Sequence, residues 1–319
     1  MRRQQFLHGM AALALAGGLP FSARAASTLK MMIPANPGGG WDTTGRALGR
    51  ALVEAGAADA VQYENKGGAA GVLGLAQFAQ GAKGDPQALM MMGAVMVGGL
   101  ITAKPPVQLQ SCTPVARLTS EYNVFVVPAA SPLRSMKDVV EQLKREPASV
   151  RWGGGSRGAT EHIAACMLAR NVGVDPKKVN YVAFRGGGEA VSAILGGNVT
   201  VGGSGYSEFA EHIAAGKMRA IGVTSQKRLP GLAVPTLKEQ GWDVVIGNWR
   251  GVYGAPGISG EQRAELADSV VKATRTKAWQ EALAKNGWTP SLSTGKDFED
   301  FVEYEFSSLR AIMYLSGML

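Results

Sequence analysis

Apolar and polar positions follow two periods along this chain, and they alternate. TLKMMIP (28–34) has the dense apolar run of a strand, the polar and glycine-rich ANPGGGW follows it, and helical spacing then holds over 42–55. VQYENK (61–66) reads as a strand, GGAAG as a loop, and a helix continues to residue 80. QALMMMG (87–93) is apolar without a break after Gln87, as a strand covered on both faces would be. ARLTSEYNVFVVPA (116–129) holds one or two more strands, SMKDVVEQLKRE (135–146) is amphipathic at helical spacing, and SVRWG (149–153) returns to strand. VNYVAF, GEAVSAILGG, TVGGSG, YSEFAEHIAAG and MRAIGVTS carry the alternation to residue 225. Strands separated by helices predict an α/β fold with largely parallel sheets. Beyond 225 the rhythm changes. VPTLKEQG reads as a short helix, VVIGNWRGVYGAP as a strand region, 260–286 as helix, and KDFEDFVEYEFSSLRAIMYLSGML as a final amphipathic helix docked by its apolar face.

The first residues belong to a different pattern. Arg2 and Arg3 precede an apolar stretch at 10–19, and Ala23-Arg24-Ala25 offers an A-x-A cleavage site, which predicts an export signal over 1–25 and a mature start at Ala26. The apolar stretch is shorter than the ~20 residues of a spanning helix. RRQQFL is close to a twin-arginine signal, with two glutamines before Phe6, so the export route stays open. Loss of Arg2, Arg3 and Arg24 takes 33 basic residues to 30 against 25 acidic ones, a net charge of +5 that suits an anionic ligand. The basic residues are scattered, which argues against nucleic acid. Cys112 and Cys166 are the only cysteines; they read as small buried residues, although an exported chain would permit their pairing. Residues 26–319 are long for one core, and without a flexible linker two domains are expected to be joined by paired crossings, at 124–128 and 220–225.

The candidate chemistry lies in glycine loops between a strand and a helix: ANPGGGWDTT, NKGGAAG, GGGSRGAT and FRGGGEA. The first amides of a helix lack partners and carry a partial positive charge, and glycine lets an anion approach them closely. Residues 153–158 match two enzyme fingerprints at once, G-x-G-x-x-G and G-x-S-x-G. A dinucleotide site wants an acid at the end of the next strand, but Asp175 precedes that strand. A hydrolase wants Ser, acid and His in that order; Ser156, Asp175 and His212 satisfy it, yet His212 falls in a helical pattern and no HGGG-type motif is present. Only His162 and His212 remain after the leader, without the spacing of a metal site, so no metal or cofactor is expected. Several loops spread over both halves suit one small anion gripped from two sides.

PANPGGGWDTTGRAL, YENKGGAAGVLGLAQ, GGGSRGATEHIA and YVAFRGGGEAVSAILGGNV, in this order, resemble the substrate-binding receptors of the bacterial tripartite tricarboxylate transporters, as do VPTLKEQGWDV and NWRGVYGAP. The resemblance implies a type II periplasmic binding protein: two α/β lobes, 26–124 plus 225–319 and 125–224, joined by hinge strands around a ligand cleft. It implies a monomer in the periplasm that binds a di- or tricarboxylate through backbone amides, small hydroxyls and water, with a large and a small integral membrane subunit as partners. From the first loop it supplies Gly38, Gly39 and Gly40 as backbone donors, Trp41 as a wall and Thr43 as a hydroxyl donor, with Asp42 capping the helix. From the second it supplies Gly68, Ala69 and Ala70; from the other lobe Ser156, Gly158 and Thr160, with Arg157 as a direct cation. Arg185, Gly187 and Ser204 complete the set. A secreted serine hydrolase using Ser156, and a receptor of the same fold serving a signalling partner, are the alternatives.

Overall fold

A computed structural model describes residues 27–185, 187–230 and 232–319, so the expected leader and its cleavage site lie outside the described residues. The chain opens with β1 (Thr28–Ile33), α1 (Gly40–Glu54), β2 (Ala60–Asn65), α2 (Val72–Gly81), β3 (Ala88–Gly93) and α3 (Ala94–Ala103). β1 pairs in parallel with both β2 and β3. β3, the unbroken ALMMMG run, is buried at every position, while β2 on the sheet edge alternates between exposed and half-buried positions. The sixteen-residue β4 (Thr113–Pro128) then leaves this half of the molecule.

The second half contains α4 (Met136–Arg145), β5 (Trp152–Gly154), α5 (Thr160–Asn171), β6 (Tyr181–Ala183), α6 (Gly187–Leu195), β7 (Val201–Gly205), α7 (Tyr206–Ala214) and β8 (Met218–Val223). β5 runs parallel to β6 and β7. The chain returns through β9 (Gly247–Gly254), α8 (Gly260–Ala273), α9 (Lys277–Asn286), β10 (Thr289–Thr294) and α10 (Gly295–Leu315). The strands form one path, β2-β1-β3-β9-β4-β7-β5-β6, with β8 and β10 also paired to β4.

β4 is the seam. Up to Tyr122 it pairs antiparallel with β9, and from Asn123 onward it pairs with β7 and β8. The Asn123 amide donates to Thr224 Oγ1 (3.0 Å), the Thr224 hydroxyl donates to the Ile246 carbonyl (2.8 Å), and the Ile246 amide donates back to Thr224 (3.1 Å). Thr224 and Ile246 are thus held together at the seam before β9 crosses back.

Four elements differ from the sequence expectation. α3 was not marked, because AVMVGGLITA is apolar all round and gives no amphipathic contrast. β10 was hidden in the proline- and serine-bearing TPSLST, which forms an edge against β4. VPTLKEQG is a turn: Thr236 and Glu239 make the reciprocal bonds of a capping box, but Gly241 at φ +93° diverts the chain before a helix can propagate. The stretch 260–286 divides into α8 and α9, with the Thr276 hydroxyl capping the second (3.3 Å to the Trp279 amide). α10 docks as expected, burying Phe298, Val302, Leu309 and Met313. Cys112 and Cys166 are both buried and free, and burial pushes their thiols up to about 11 and about 12.

Candidate functional site

The loops after β1, β2 and β3 in one half and after β5, β6 and β7 in the other meet across the seam, because each leaves the carboxyl end of a parallel strand. They enclose a cavity of about 90 Å³. The first half contributes Gly39, Gly40, Trp41, Gly68 and Ala70, and the second contributes Ser156, Arg185, Gly187 and Ser204. These nine of the fifteen positions expected to touch ligand line one space. Trp41 is buried and packs as a wall beside Gly71.

The other six point elsewhere. Gly38 donates its amide to Asp42 Oδ2 (3.0 Å), so Asp42 reaches back from the first turn of α1 while Gly39 holds the cap position. Thr43 lies off the cavity; its neighbour Thr44 is the buried hydroxyl, accepting from Arg250 Nη1 (3.0 Å). Ala69 shapes the second loop, since it and Ala70 both adopt positive φ (47° and 56°). Gly158 donates to His162 Nδ1 (3.0 Å). Thr160 is buried against Asn123 and Glu161. Arg157 turns its guanidinium to the Tyr181 carbonyl (3.1 Å) and is absent from the cavity lining. Gly186 lies outside the described residues.

Several lining groups were not anticipated: Glu161, Glu208, Asn248 and Arg250. Arg250 is buried on β9, ion-paired with Glu121, and burial pulls its guanidinium down to about 9, still charged at neutral pH. A Cβ on Gly40 would collide with that guanidinium, so this glycine is what lets the start of α1 sit against it. Glu161 opens α5 and accepts from the Gly155 amide (2.6 Å); burial pushes its carboxyl up to about 7 against the opposing pull of those bonds, and Glu208 adds to the rise. Glu208, shielded by protein yet open to the cavity, accepts from Ser204 and, across the cleft, from the Gly40 amide (2.9 Å). Burial raises its pKa as well. The signal available for Arg250 was a charge inside an apolar strand sequence, which seldom persists unpaired.

The hydrolase constellation does not assemble. The Ser156 hydroxyl accepts from the Ala70 amide across the cleft (3.1 Å), and Asp175 caps the turn at Pro176–Lys178 through the Lys177 amide (3.0 Å). His212 sits in the last turn of α7. His162 stacks on Tyr181 (4.2 Å between centroids) and is held down to about 4 by burial and by Arg157.

Two α/β halves around a cleft lined by strand-end loops define a bilobal α/β fold, and solved structures share it. Periplasmic binding protein BugD superposes with a TM-score of 0.81 at 22% identity, covering 91% of this chain and 98% of BugD. MatC of Rhodopseudomonas palustris, solved with bound malate, gives 0.78 at 21% identity over 89% of this chain and 98% of MatC. In sequence, protein BugT of Bordetella pertussis is 27% identical over 298 residues, 92% of this chain and 90% of BugT. Residues 49–317 match the tripartite tricarboxylate transporter family receptor, and the chain belongs to that family. Among the described residues no helix is long and apolar enough to cross a membrane.

Proposed function

We propose that the protein is a periplasmic receptor that captures a small carboxylate-bearing organic anion between its lobes and delivers it to the large and small membrane subunits of a tripartite carrier. The observation that carries this reading is convergence: glycine-flanked backbone at the ends of six strands of two opposing halves lines one cavity. Helix starts gathered in this way form a site for anions without any covalent step. The malate in MatC, a structural neighbour, adds support for the carboxylate class. Residues 1–25 act as the export leader in this reading, and Gly39, Gly68, Ser156, Arg185 and Gly187 act as ligand contacts.

Thermal denaturation with a panel of organic acids, each matched by an equal ionic strength of chloride, tests the proposal. At about a hundred times Kd the ligand adds about 2.7 kcal/mol to stability, worth several degrees of melting temperature in a chain of this size. At least one carboxylate is expected to give such a shift, and uptake of that compound should depend on this gene. A flat response across the panel, with the chain folded, rejects the receptor reading.

A further inference from the structure

Three carboxylates at the cleft loops accept amides of their own loops. Asp42 takes the Gly38 amide (3.0 Å), Glu161 the Gly155 amide (2.6 Å) and Glu189 the Arg185 amide (3.1 Å). Bonds of this kind do not depend on the angle between the halves. Glu208, in the first turn of α7, differs: its Oε1 accepts the Gly40 amide of the opposite half (2.9 Å). The Ser204 hydroxyl, in the same half as Glu208, donates to its Oε2. Opening the cleft therefore breaks the Gly40 bond and leaves the Ser204 bond in place.

The place this carboxylate occupies is where two of the proposed ligand contacts converge. A Cβ on Gly187, at the start of α6, would collide with the same Oε1, and a Cβ on Gly39 would lie 3.7 Å from it and 3.4 Å from the Gly187 amide nitrogen. Gly39, Gly40, Gly187 and Glu208 all line the one cavity. A ligand carboxylate drawn to the start of α1 by its amides and dipole comes to this spot, and a carboxylate of the protein is already there. One N–H cannot serve two carboxylates, and two anions side by side repel where water is excluded. Burial raises the Glu208 pKa, the mark of an anion held less well than in water, so the occupant is one that can be turned out.

We infer that Glu208 is an internal competitor of the ligand: in the empty cleft its carboxylate holds the seat of a ligand carboxylate at the start of α1, and the ligand binds there by displacing it. This rests on the receptor reading above and deepens it, since it makes Glu208 a residue that sets affinity. Apparent affinity is lowered by the fraction of time the seat is taken. Because Ser204 keeps its hold on the displaced side chain, Glu208 stays beside the cleft and retakes the Gly40 amide when the ligand leaves.

Isothermal titration of malonate, succinate, glutarate and malate into wild type, Glu208→Gln and Glu208→Ala tests this, with circular dichroism verifying that each variant is folded. For the acid that fits, Glu208→Ala should bind about tenfold or more tighter than wild type, the order that a hydrogen bond to a charged group is worth. Glu208→Gln keeps the acceptor oxygen and loses the charge, so it should fall between them. Binding by Glu208→Ala that equals or is weaker than that of wild type overturns the inference and leaves the receptor reading standing, since Glu208 would then be a fixed part of the loaded site. Should Glu208→Ala fail to fold, Glu208→Gln carries the comparison: a gain in affinity supports the competitor, and no gain overturns it. If no acid binds any of the three proteins, the receptor reading fails and acetate decides for the seat. At equal ionic strength of chloride, a rise in melting temperature confined to Glu208→Ala then supports the competitor, and any other response overturns it.

Discussion

Two neighbouring side chains at the start of α5 oppose each other in pH. Glu161 is raised from 4.5 to about 7, so between those values the folded chain keeps a proton that the unfolded chain releases. Its contribution to stability is full below about pH 4.5 and is lost as pH rises through 7. His162 is lowered from 6.5 to about 4, so the folded chain refuses a proton that the unfolded chain accepts. That contribution is present above 6.5 and is lost as pH falls toward 4. Each limb is on the order of 3–4 kcal/mol at about 1.4 kcal/mol per pKa unit, and in the wild type they largely cancel. Glu161→Gln should therefore make stability climb from pH 4.5 to 6.5, and His162→Gln should make it fall across the same range; urea titrations at three pH values read both. Parallel profiles in all three proteins would contradict these assignments. Glu121→Gln addresses the other buried charge. It strands the Arg250 guanidinium, and a loss of about 3–5 kcal/mol is expected in the same urea measurement.

At the scale of elements, α3 has the most exposed role in the logic of the fold. It belongs to the first half, yet its Gly98 lies against the backbone of Gly158 in the second, where a Cβ would strike the Gly158 carbonyl. Gly98→Ala should push the halves apart and leave each half intact. Ligand affinity is then expected to fall about tenfold, equal to about 1.4 kcal/mol of closure, while the melting temperature without ligand changes little. A lower melting temperature with unchanged affinity would instead make this contact part of a static core. This helix also marks the limit of what the sequence discloses. Strands and helices with a polar face, such as α1, α4 and α10, were legible because burial imposes a period on them. α3 is covered all round, so no period is left to read. The site divides in the same way. Glycine loops announce where backbone must come close, and these were found. Glu208 was missed, because its meaning lies in the Gly40 amide that the opposite half brings to it, and no local pattern encodes that.

At the scale of the whole molecule, hydrogen bonds that need no ligand span the two halves. Glu208 reaches the Gly40 amide, Ser156 receives the Ala70 amide, and at the rim Asn36 Nδ2 donates to Glu189 Oε1 (2.9 Å). Each net hydrogen bond is worth about 0.5–1.5 kcal/mol, so together they rival the bias that separates an open from a closed population. The rim bond is the one to alter, since Asn36 and Glu189 are absent from the cavity lining. Asn36→Ala should raise the open fraction and weaken ligand binding about two- to tenfold, because the ligand must then supply closure that Asn36 provided. Small-angle scattering reads the shape directly. The wild type without ligand should lie near the compact value of about 19 Å for a chain of this length, and Asn36→Ala should lie above it and return when ligand saturates the cleft. Equal radii with and without the substitution, and equal affinities, would mean that the pairing of β4 with β7, β8 and β9 alone fixes the angle between the lobes. In that case the seam at Tyr122 and Asn123 would be a rigid joint, and selectivity would have to arise wholly inside the cavity.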